Sequence, residues 1–282
     1  MRYLTAVFGI VSMVLTGCTP GASEIADRAP GASEIADGKI CFIHHSTGSA
    51  WIATDKGTLG TALNANGYYV VECDYGWSDP GYDQGSSTDT GDWPDWFNDT
   101  VMPYVYANEA HFDYTNSIDD PGGEVEIVMF KSCYPNSEVG RSIVDEQAVY
   151  NSLLEYFGDH TDRMFVLVVP PPEIVINSAA LTRELANWLA DRDSGWLSGY
   201  AHDNVYAFDY YNVLTDPNNH HRIGASGSEE HIVSVNPVDS ANPNELYYYT
   251  GTNDHPTSEG HRKATEEFLP LLNEWYDAWK GL

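Results

Sequence analysis

Five short, mostly apolar runs set the strongest constraint on how this chain can fold. They cover residues 39–43, 68–73, 124–131, 163–169 and 204–209, and segments with helical patterns separate them. Runs of this kind are typical of strands buried on both faces of a parallel sheet. Strands that alternate with helices place those helices on both faces of the sheet. The sequence therefore predicts an α/β fold, a three-layer α/β/α sandwich with a five-stranded parallel sheet.

The segments between these runs carry helix signals. Apolar periodicity and glycine or proline at the ends predict helices over 58–66, 142–157, 178–192 and 257–279, and another that begins near residue 93. A polar stretch follows the fifth run as far as residue 250. Its apolar residues show neither the period of a helix nor that of a strand, so we expect it to be irregular.

The first residues have the features of an export signal. Arg2 is followed by an apolar run at 3–15 that is too short to span a membrane comfortably. The next residues, Leu-Thr-Gly-Cys at 15–18, resemble the lipobox of bacterial lipoproteins. The resemblance implies a signal peptide at 1–17, cleavage before Cys18 and lipid on that cysteine. The alternative is an ordinary secretory signal with an incidental cysteine, and both place the mature protein outside the cytoplasm.

A repeat follows the predicted cleavage site. The sequence Pro-Gly-Ala-Ser-Glu-Ile-Ala-Asp at 20–27 recurs without change at 30–37. Small, polar and acidic residues with proline and glycine bury too little apolar surface to fold. We therefore predict a flexible tether at 18–38 and one folded domain at 39–282. With the lipobox, this predicts a lipid-anchored protein of the bacterial cell envelope, at the outer membrane or the cell surface.

The charge of the chain limits its partners. The formal net charge is -29, with 42 acidic residues against 13 basic ones. This argues against nucleic acid, whose recognition needs a basic surface, and contact with a membrane is expected through the lipid anchor only. The cysteines lack the spacing of metal ligands, and His220-His221 has no carboxylate at a useful spacing. No metal and no cofactor are expected.

The first predicted strand ends in His44-His45-Ser46-Thr47-Gly48, a polar group with a turn-forming glycine. Open α/β sheets bind their ligands beyond the carboxyl ends of the strands. A serine at such an end, in a tight turn that Gly48 permits, is a candidate nucleophile. The alternative is that Ser46 and Thr47 only cap the next helix.

A second polar group, Asp254 and His255, stands just before the last predicted helix. Histidine is the natural base for a serine hydroxyl at neutral pH. Because both ends of the domain meet at one edge of the sheet, His255 is expected to reach Ser46. The alternative is that Asp254 and Thr257 cap the helix, with His255 on the surface.

Three segments resemble, in order and spacing, the motif blocks of the SGNH/GDSL hydrolase family. Residues 42–48 stand where that family has Gly-Asp-Ser, 130–136 where it has Gly-x-Asn-Asp, and 254–260 where it has Asp-x-x-His-Pro. The resemblance covers 39–282, and its third block is the most specific. It implies a sandwich of the flavodoxin-like type and the activity of a secreted serine ester hydrolase that passes through an acyl-enzyme.

The resemblance also implies the catalytic residues. Ser46 is the expected nucleophile and His255 the expected base. The family's aspartate falls at Thr252 here, so Asp254 is the nearby carboxylate of the motif and the expected acid. Adjacent side chains on a turn can face one pocket, but in an extended segment they point apart. A backbone carbonyl that orients the imidazole is the alternative.

The oxyanion hole implied by the resemblance has three donors. They are the amide of Ser46, the amide of Gly91 and the side chain of Asn136. Gly91 fits better than Gly76, because Gly91 is followed by Asp92 and a helix. Asn116 is an alternative to Asn136.

A departure from the family pattern is His44-His45 in place of Gly-Asp before the serine. His45 is expected to bind substrate or tune charge, and a purely structural role is its alternative. This departure and Thr252 favour a competing function, a non-catalytic surface lipoprotein that keeps the fold as a glycan-binding module.

The aromatic content suggests a class of substrate. The chain has 19 tyrosines and 8 tryptophans. Many of them are needed in the core, and those that lie outside it can stack on sugar rings. The expected partner is therefore a polysaccharide or oligosaccharide that carries O-acyl groups, with O-acetyl esters favoured over lipid or aryl esters.

The lipobox generates the first testable prediction. Cys18→Ser should move the protein from the membrane fraction into the soluble fraction, because the tether is too polar to hold it there. The measurement is immunoblotting of both fractions after a high-salt wash, with the parent chain as the control. A variant that stays with the membrane after this wash would contradict the lipid anchor.

Overall fold

The computed structural model describes residues 38–75, 78–79, 82–83, 88–109, 114–132, 142–172, 179–233, 247–250 and 254–282. All of these residues belong to one compact unit. The predicted signal peptide, Cys18 and the tether up to residue 37 lie outside the described residues. Gly76, Asn136 and Thr252 lie outside them as well.

The described residues form strands and helices that are numbered here in chain order. The strands are β1 (Lys39–His44), β2 (Tyr69–Asp74), β3 (Ser78–Asp79), β4 (Tyr82–Asp83), β5 (Ile127–Phe130), β6 (Met164–Val168), β7 (Val205–Phe208), β8 (His220–Ile223) and β9 (Glu229–Ile232). The helices are α1 (Thr47–Ile52), α2 (Leu59–Ala65), α3 (Trp93–Trp96), α4 (Met102–Tyr106), α5 (Ile143–Asp159), α6 (Ala179–Ala190), α7 (Tyr210–Thr215) and α8 (Ser258–Lys280). None of these helices is both long enough and apolar enough to cross a membrane.

The main sheet has five parallel strands in the order β2-β1-β5-β6-β7. Ile40 of β1 lies opposite Val70 of β2 on one side and Ile127 of β5 on the other. All residues of β1, β5, β6 and β7 are buried, as the apolar runs predict. The predicted α/β fold with a five-stranded parallel sheet of flavodoxin-like order is therefore confirmed.

Two apolar cores, one on each face of the sheet, make the fold a three-layer sandwich. Successive strand side chains point to opposite faces, so Cys41 and Ile43 belong to one core and Ile40 and Phe42 to the other. Side chains of α3, α4, α5 and α6 complete the first core. Side chains of α1, α2 and α8 complete the second.

The two longest helices have ends that the sequence specifies. Ser142 caps α5, and its side chain and that of Asp145 satisfy each other's backbone N–H groups. Thr257 caps α8, and Gly281 ends it with a φ of 70°. Both helices match their predicted ranges to within two residues.

The stretch after β7 differs from the prediction, because it is not irregular throughout. It contains α7 and the antiparallel hairpin of β8 and β9. These elements are short, and the strands of the hairpin are rich in charged residues and histidine. The sequence therefore shows neither the apolar period of a helix nor that of a strand in this stretch.

Asp209, which follows β7, connects this hairpin to the rest of the domain. Its fully buried carboxylate accepts hydrogen bonds from the backbone N–H of Asn212 at 2.9 Å and from Nε2 of His231 at 2.5 Å. Burial alone would raise the pKa of Asp209. The hydrogen bond and charge of His231, with the amides of Asn212, outweigh burial and lower that pKa. The hairpin is therefore held by a hydrogen-bonded pair of the buried Asp209 carboxylate and the partly exposed His231 ring.

We expect Asp209→Ala to lower the free energy of unfolding by about 3 kcal/mol, because the buried N–H groups of Asn212 would lose their acceptor and the partly exposed His231 ring would lose its partner. The measurement is unfolding in urea. Arg222→Ala is the matched control, because it breaks the more exposed pair of Arg222 and Glu230 in the same hairpin. The control should lose less than about 1 kcal/mol. Equal losses in the two variants would contradict the role given to Asp209.

Candidate active site

Ser46 lies in a strained turn between β1 and α1. Its backbone has a φ of 51° and a ψ of -100°, a conformation that residues other than glycine rarely adopt. Strain of this kind persists only where the surrounding structure holds it, and it is concentrated at functional sites. The alternative role as a helix cap is not observed, because the Ser46 side chain makes no capping hydrogen bond to α1.

Gly48 allows this turn to be tight. A Cβ atom on Gly48 would lie 2.6 Å from Cβ and Cγ of His44, a separation that real side chains do not tolerate. The first turn of α1 is therefore packed directly on the end of β1. Sharp strand-to-helix turns with a small residue after the serine present the hydroxyl of known serine hydrolases at the top of the sheet.

The hydroxyl of Ser46 contacts His255. Ser46 Oγ lies 2.5 Å from His255 Nε2, although the two residues are 209 positions apart. In the tautomer that carries its proton on Nδ1, Nε2 accepts the hydrogen bond from the serine. The structure thus brings together the two residues that the sequence predicted as nucleophile and base.

The environment of His255 favours the uncharged imidazole. Burial lowers the pKa of His255, the negative charge of Asp254 opposes this, and the positive charges of Lys131 and Lys56 lower the pKa further. The net result is a pKa below the ordinary value of histidine. At neutral pH the ring is therefore uncharged and able to accept a proton.

Asp254 is partly buried and acts on His255 through its charge, which favours the protonated imidazole. The alternative role of Asp254 as a helix cap is filled by Thr257, whose Oγ1 accepts the N–H of Gly260 at 3.3 Å. The N–H of Thr257 donates to the carbonyl of Tyr248 at 2.6 Å. The role of Asp254 as the acid of the site stays a prediction.

Gly91 lies in a short 3-10 turn, Thr90–Asp92, which is attached to the carboxyl end of β5. Thr90 Oγ1 is 3.1 Å from Ser132 Oγ, and Trp93 Nε1 donates to the same oxygen at 3.0 Å. Because β5 is next to β1, the Gly91 turn is anchored at the sheet edge where Ser46 lies. The buried Ser132 anchor could not be predicted from a sequence pattern, because its partners come from distant segments.

His45 is 8% exposed and connects the Ser46 turn to the Gly91 segment. Its Nδ1 is hydrogen-bonded to Thr88 Oγ1, and its Nε2 lies 3.7 Å from Asp89 Oδ1. Burial, with the charges of Lys131 and His44, lowers the pKa of His45 to about 4. The uncharged ring therefore holds the segment that carries Gly91, and direct binding of substrate by His45 stays a prediction.

Asn116, the alternative to Asn136, has another role in the structure. Its Oδ1 accepts the N–H of Val70 and its Nδ2 donates to the carbonyl of Val70, both at 2.9 Å. The side chain therefore pairs with the outer strand of the sheet and is not free to serve as an oxyanion donor. Asn136 and Gly76 lie outside the described residues, so their predicted roles stay predictions.

The histidine pair in β8 has carboxylate partners that the sequence did not reveal. His220 Nδ1 lies 2.7 Å from Glu267, and His221 Nε2 lies 3.1 Å from Glu229. Across the described ranges, no group of three or more histidine, cysteine, aspartate or glutamate side chains is arranged to hold a metal ion.

No known protein-family model matches this chain, and no curated protein is similar to it.

Asp254→Asn tests the acid of the site. If the carboxylate orients His255 and stabilises its protonated form, turnover of p-nitrophenyl acetate should fall by about three to four orders of magnitude. Asp162→Asn is the control and should keep its turnover, because Asp162 is an exposed carboxylate beside Arg163, just before the amino end of β6 and so at the other end of the sheet from Ser46. A fall of less than about tenfold in the Asp254 variant would assign the orienting role to another group.

Proposed function

We propose that this protein is a serine ester hydrolase of the SGNH/GDSL type that forms an acyl-enzyme on Ser46. The observation that carries this proposal is the hydrogen bond between Ser46 Oγ and His255 Nε2, made from a strained turn at the carboxyl edge of a parallel sheet. The flavodoxin-like strand order supports it, because that edge is where such sheets bind ligands.

The reaction follows from the two side chains in contact. Ser46 Oγ attacks the ester carbonyl while its proton moves to His255 Nε2. The tetrahedral intermediate collapses, the C–O bond to the alcohol breaks, and the alcohol leaves with that proton. A water molecule then attacks the acyl-enzyme and gives a proton to His255. His255 returns this proton to Ser46 Oγ as the bond from that oxygen to the acyl carbon breaks, so the carboxylic acid leaves and the serine hydroxyl is restored.

The negative charge of the intermediate needs hydrogen-bond donors. We assign this role to the amides of Ser46 and Gly91 and to the side chain of Asn136. Each donor of this kind contributes about 3 kcal/mol to the transition state. The anchoring of the Gly91 turn through His45 and Ser132 supports the assignment of Gly91, because a donor must be held rigidly to be effective.

The substrate that we propose is an O-acyl ester of a carbohydrate, with O-acetyl groups favoured. Tyr75 supports this choice. Its side chain is 46% exposed, its ring lies 4.9 Å from that of His45, and its backbone N–H donates to the carbonyl of His44 at 2.8 Å. An exposed aromatic ring beside the nucleophile turn offers a flat apolar surface for a sugar ring.

The location that we propose is the bacterial cell envelope, with lipid on Cys18 and the repeat at 18–38 as a spacer. This location fits a substrate in the extracellular polysaccharide, which the enzyme would reach from the membrane surface.

Ser46→Ala is the central test of this function. Reaction with a fluorophosphonate probe and turnover of p-nitrophenyl acetate should both be abolished, with little change in melting temperature because the serine side chain contributes little to the core. Ser49→Ala is the matched control in the adjoining helix α1, where the hydroxyl donates to Asp74 at 2.9 Å and should not react. His255→Ala should lose activity as well.

The same experiment separates the enzyme from the glycan-binding alternative. A non-catalytic module would show neither probe labelling nor turnover in the parent chain, and Ser46→Ala would then change nothing. Labelling that persists in Ser46→Ala and disappears in Ser49→Ala would contradict the assignment of the nucleophile.

A further inference from the structure

His44 is the last residue of β1 and stands two positions before Ser46. Its side chain is completely buried. By the alternation of the strand it points to the same face of the sheet as Ile40 and Phe42, the face that α1 covers. The ring centroids of His44 and Phe42 are 4.2 Å apart. The imidazole is therefore part of the packed core at the point where the Ser46 turn begins.

The contact between His44 and Gly48 decides how closely the chain can turn. A Cβ atom on Gly48 would lie 2.6 Å from Cβ and Cγ of His44 and 2.7 Å from its Nδ1. Gly48 belongs to α1 and does not have a positive φ, so its backbone conformation does not by itself require glycine. The need for glycine at position 48 is therefore a consequence of the His44 side chain.

Two carboxylates of β2 face the ring nitrogens of His44. Nε2 lies 3.1 Å from Oε1 of Glu72, and Nδ1 lies 3.6 Å from Oδ1 of Asp74, which is opposite His44 in the parallel register. Neither nitrogen is aligned for a hydrogen bond with any residue that the structure describes, so charge and packing hold the ring. The carbonyl of His44 accepts the N–H of Tyr75 at 2.8 Å. The neighbouring strand and the residue after it therefore restrain both the ring and the backbone.

We propose that His44 is a positioning residue of the active site, whose buried ring is the surface on which the Ser46 turn is packed. This inference rests on the proposed hydrolase function, because it gives His44 a role in the same site. The ring limits how far the first turn of α1 can move toward β1. Ser46 is thereby held at a φ of 51° and a ψ of -100°, with Oγ 2.5 Å from Nε2 of His255. Because His44 is completely buried, it acts on the reaction only through Ser46.

His44→Ala tests this role through separate values of kcat and KM for p-nitrophenyl acetate. Removal of the ring leaves space beside the turn, and a displacement of the nucleophile by about 1 Å should lower kcat by about a hundredfold. KM should change little, because His44 does not reach the substrate. His44→Gln keeps a polar side chain near Glu72 and should retain more turnover than His44→Ala.

Ile40→Ala is the matched control for a loss of stability without a loss of position. Ile40 is buried in the same strand and the same core, but it lies four residues farther from the turn. The control should lower the melting temperature and leave kcat of the folded protein nearly unchanged. A fall of kcat as large as that of His44→Ala would overturn the inference, because it would show that any damage to this core has the same effect.

Exchange of the small residue between positions 44 and 48 tests the contact itself. Gly48→Ala should lose turnover, because its methyl group meets the His44 side chain. His44→Gly removes that obstacle, so the folded double variant should be more active than Gly48→Ala alone, a non-additive result. A Gly48→Ala variant with full turnover, or a folded double variant that is no more active than Gly48→Ala, would overturn the inference.

Crystal structures of the parent chain and of His44→Ala give a measurement that does not depend on hydrolysis. If the alanine variant does not fold, His44→Val takes its place, because a β-branched residue suits a strand. The distance from Ser46 Oγ to His255 Nε2 should increase beyond hydrogen-bonding range, and an unchanged distance would overturn the inference. Absence of turnover in the parent chain would instead contradict the proposed function, and the distance would still report on His44.

Discussion

The direct packing of α1 on the end of β1 is the constraint on which the rest of the site depends. Gly48 leaves no room between its Cα and the side chain of His44, so the chain must reverse direction within one or two residues. That reversal forces Ser46 into its strained backbone conformation. The energy of this strain is offset by the burial of β1 between two strands and two apolar layers. A rigid strand thus becomes the support for a partly buried hydroxyl that is directed at His255.

Contacts between the two ends of the chain bring the base to this hydroxyl. Trp51 of α1 donates from its indole N–H to Thr265 of α8 at 2.9 Å, and Thr265 donates to the carbonyl of Gly57 at 2.7 Å. All three groups are buried, so these hydrogen bonds cannot be exchanged for water without a loss of free energy. Through them α8 is fixed against α1, and the turn that carries His255 is placed beside Ser46.

The sequence allowed the sheet and the Ser46–His255 pair to be predicted, because both depend on local signals. Apolar runs identify buried strands, and turn residues at strand ends identify the edge where side chains converge. The partners of His45 and the burial of Lys131 could not be predicted in this way. Both result from tertiary packing of the 88–92 segment and β5 against β1, for which a single sequence carries no periodic signal. The hairpin after β7 was missed because its strands are short and polar.

The pairing of Asn116 with Val70 has a consequence for the molecule as a whole. An outer strand offers backbone groups to which a strand of another molecule can add, and this is a common start of aggregation. Here a side-chain amide occupies both hydrogen-bonding groups of Val70, near the start of the outer edge of β2. The Asn116 amide pairs with Val70 as the backbone of a neighbouring strand would, although only one residue takes part. The sheet therefore ends at β2 in a way that discourages neighbouring copies from joining edge to edge.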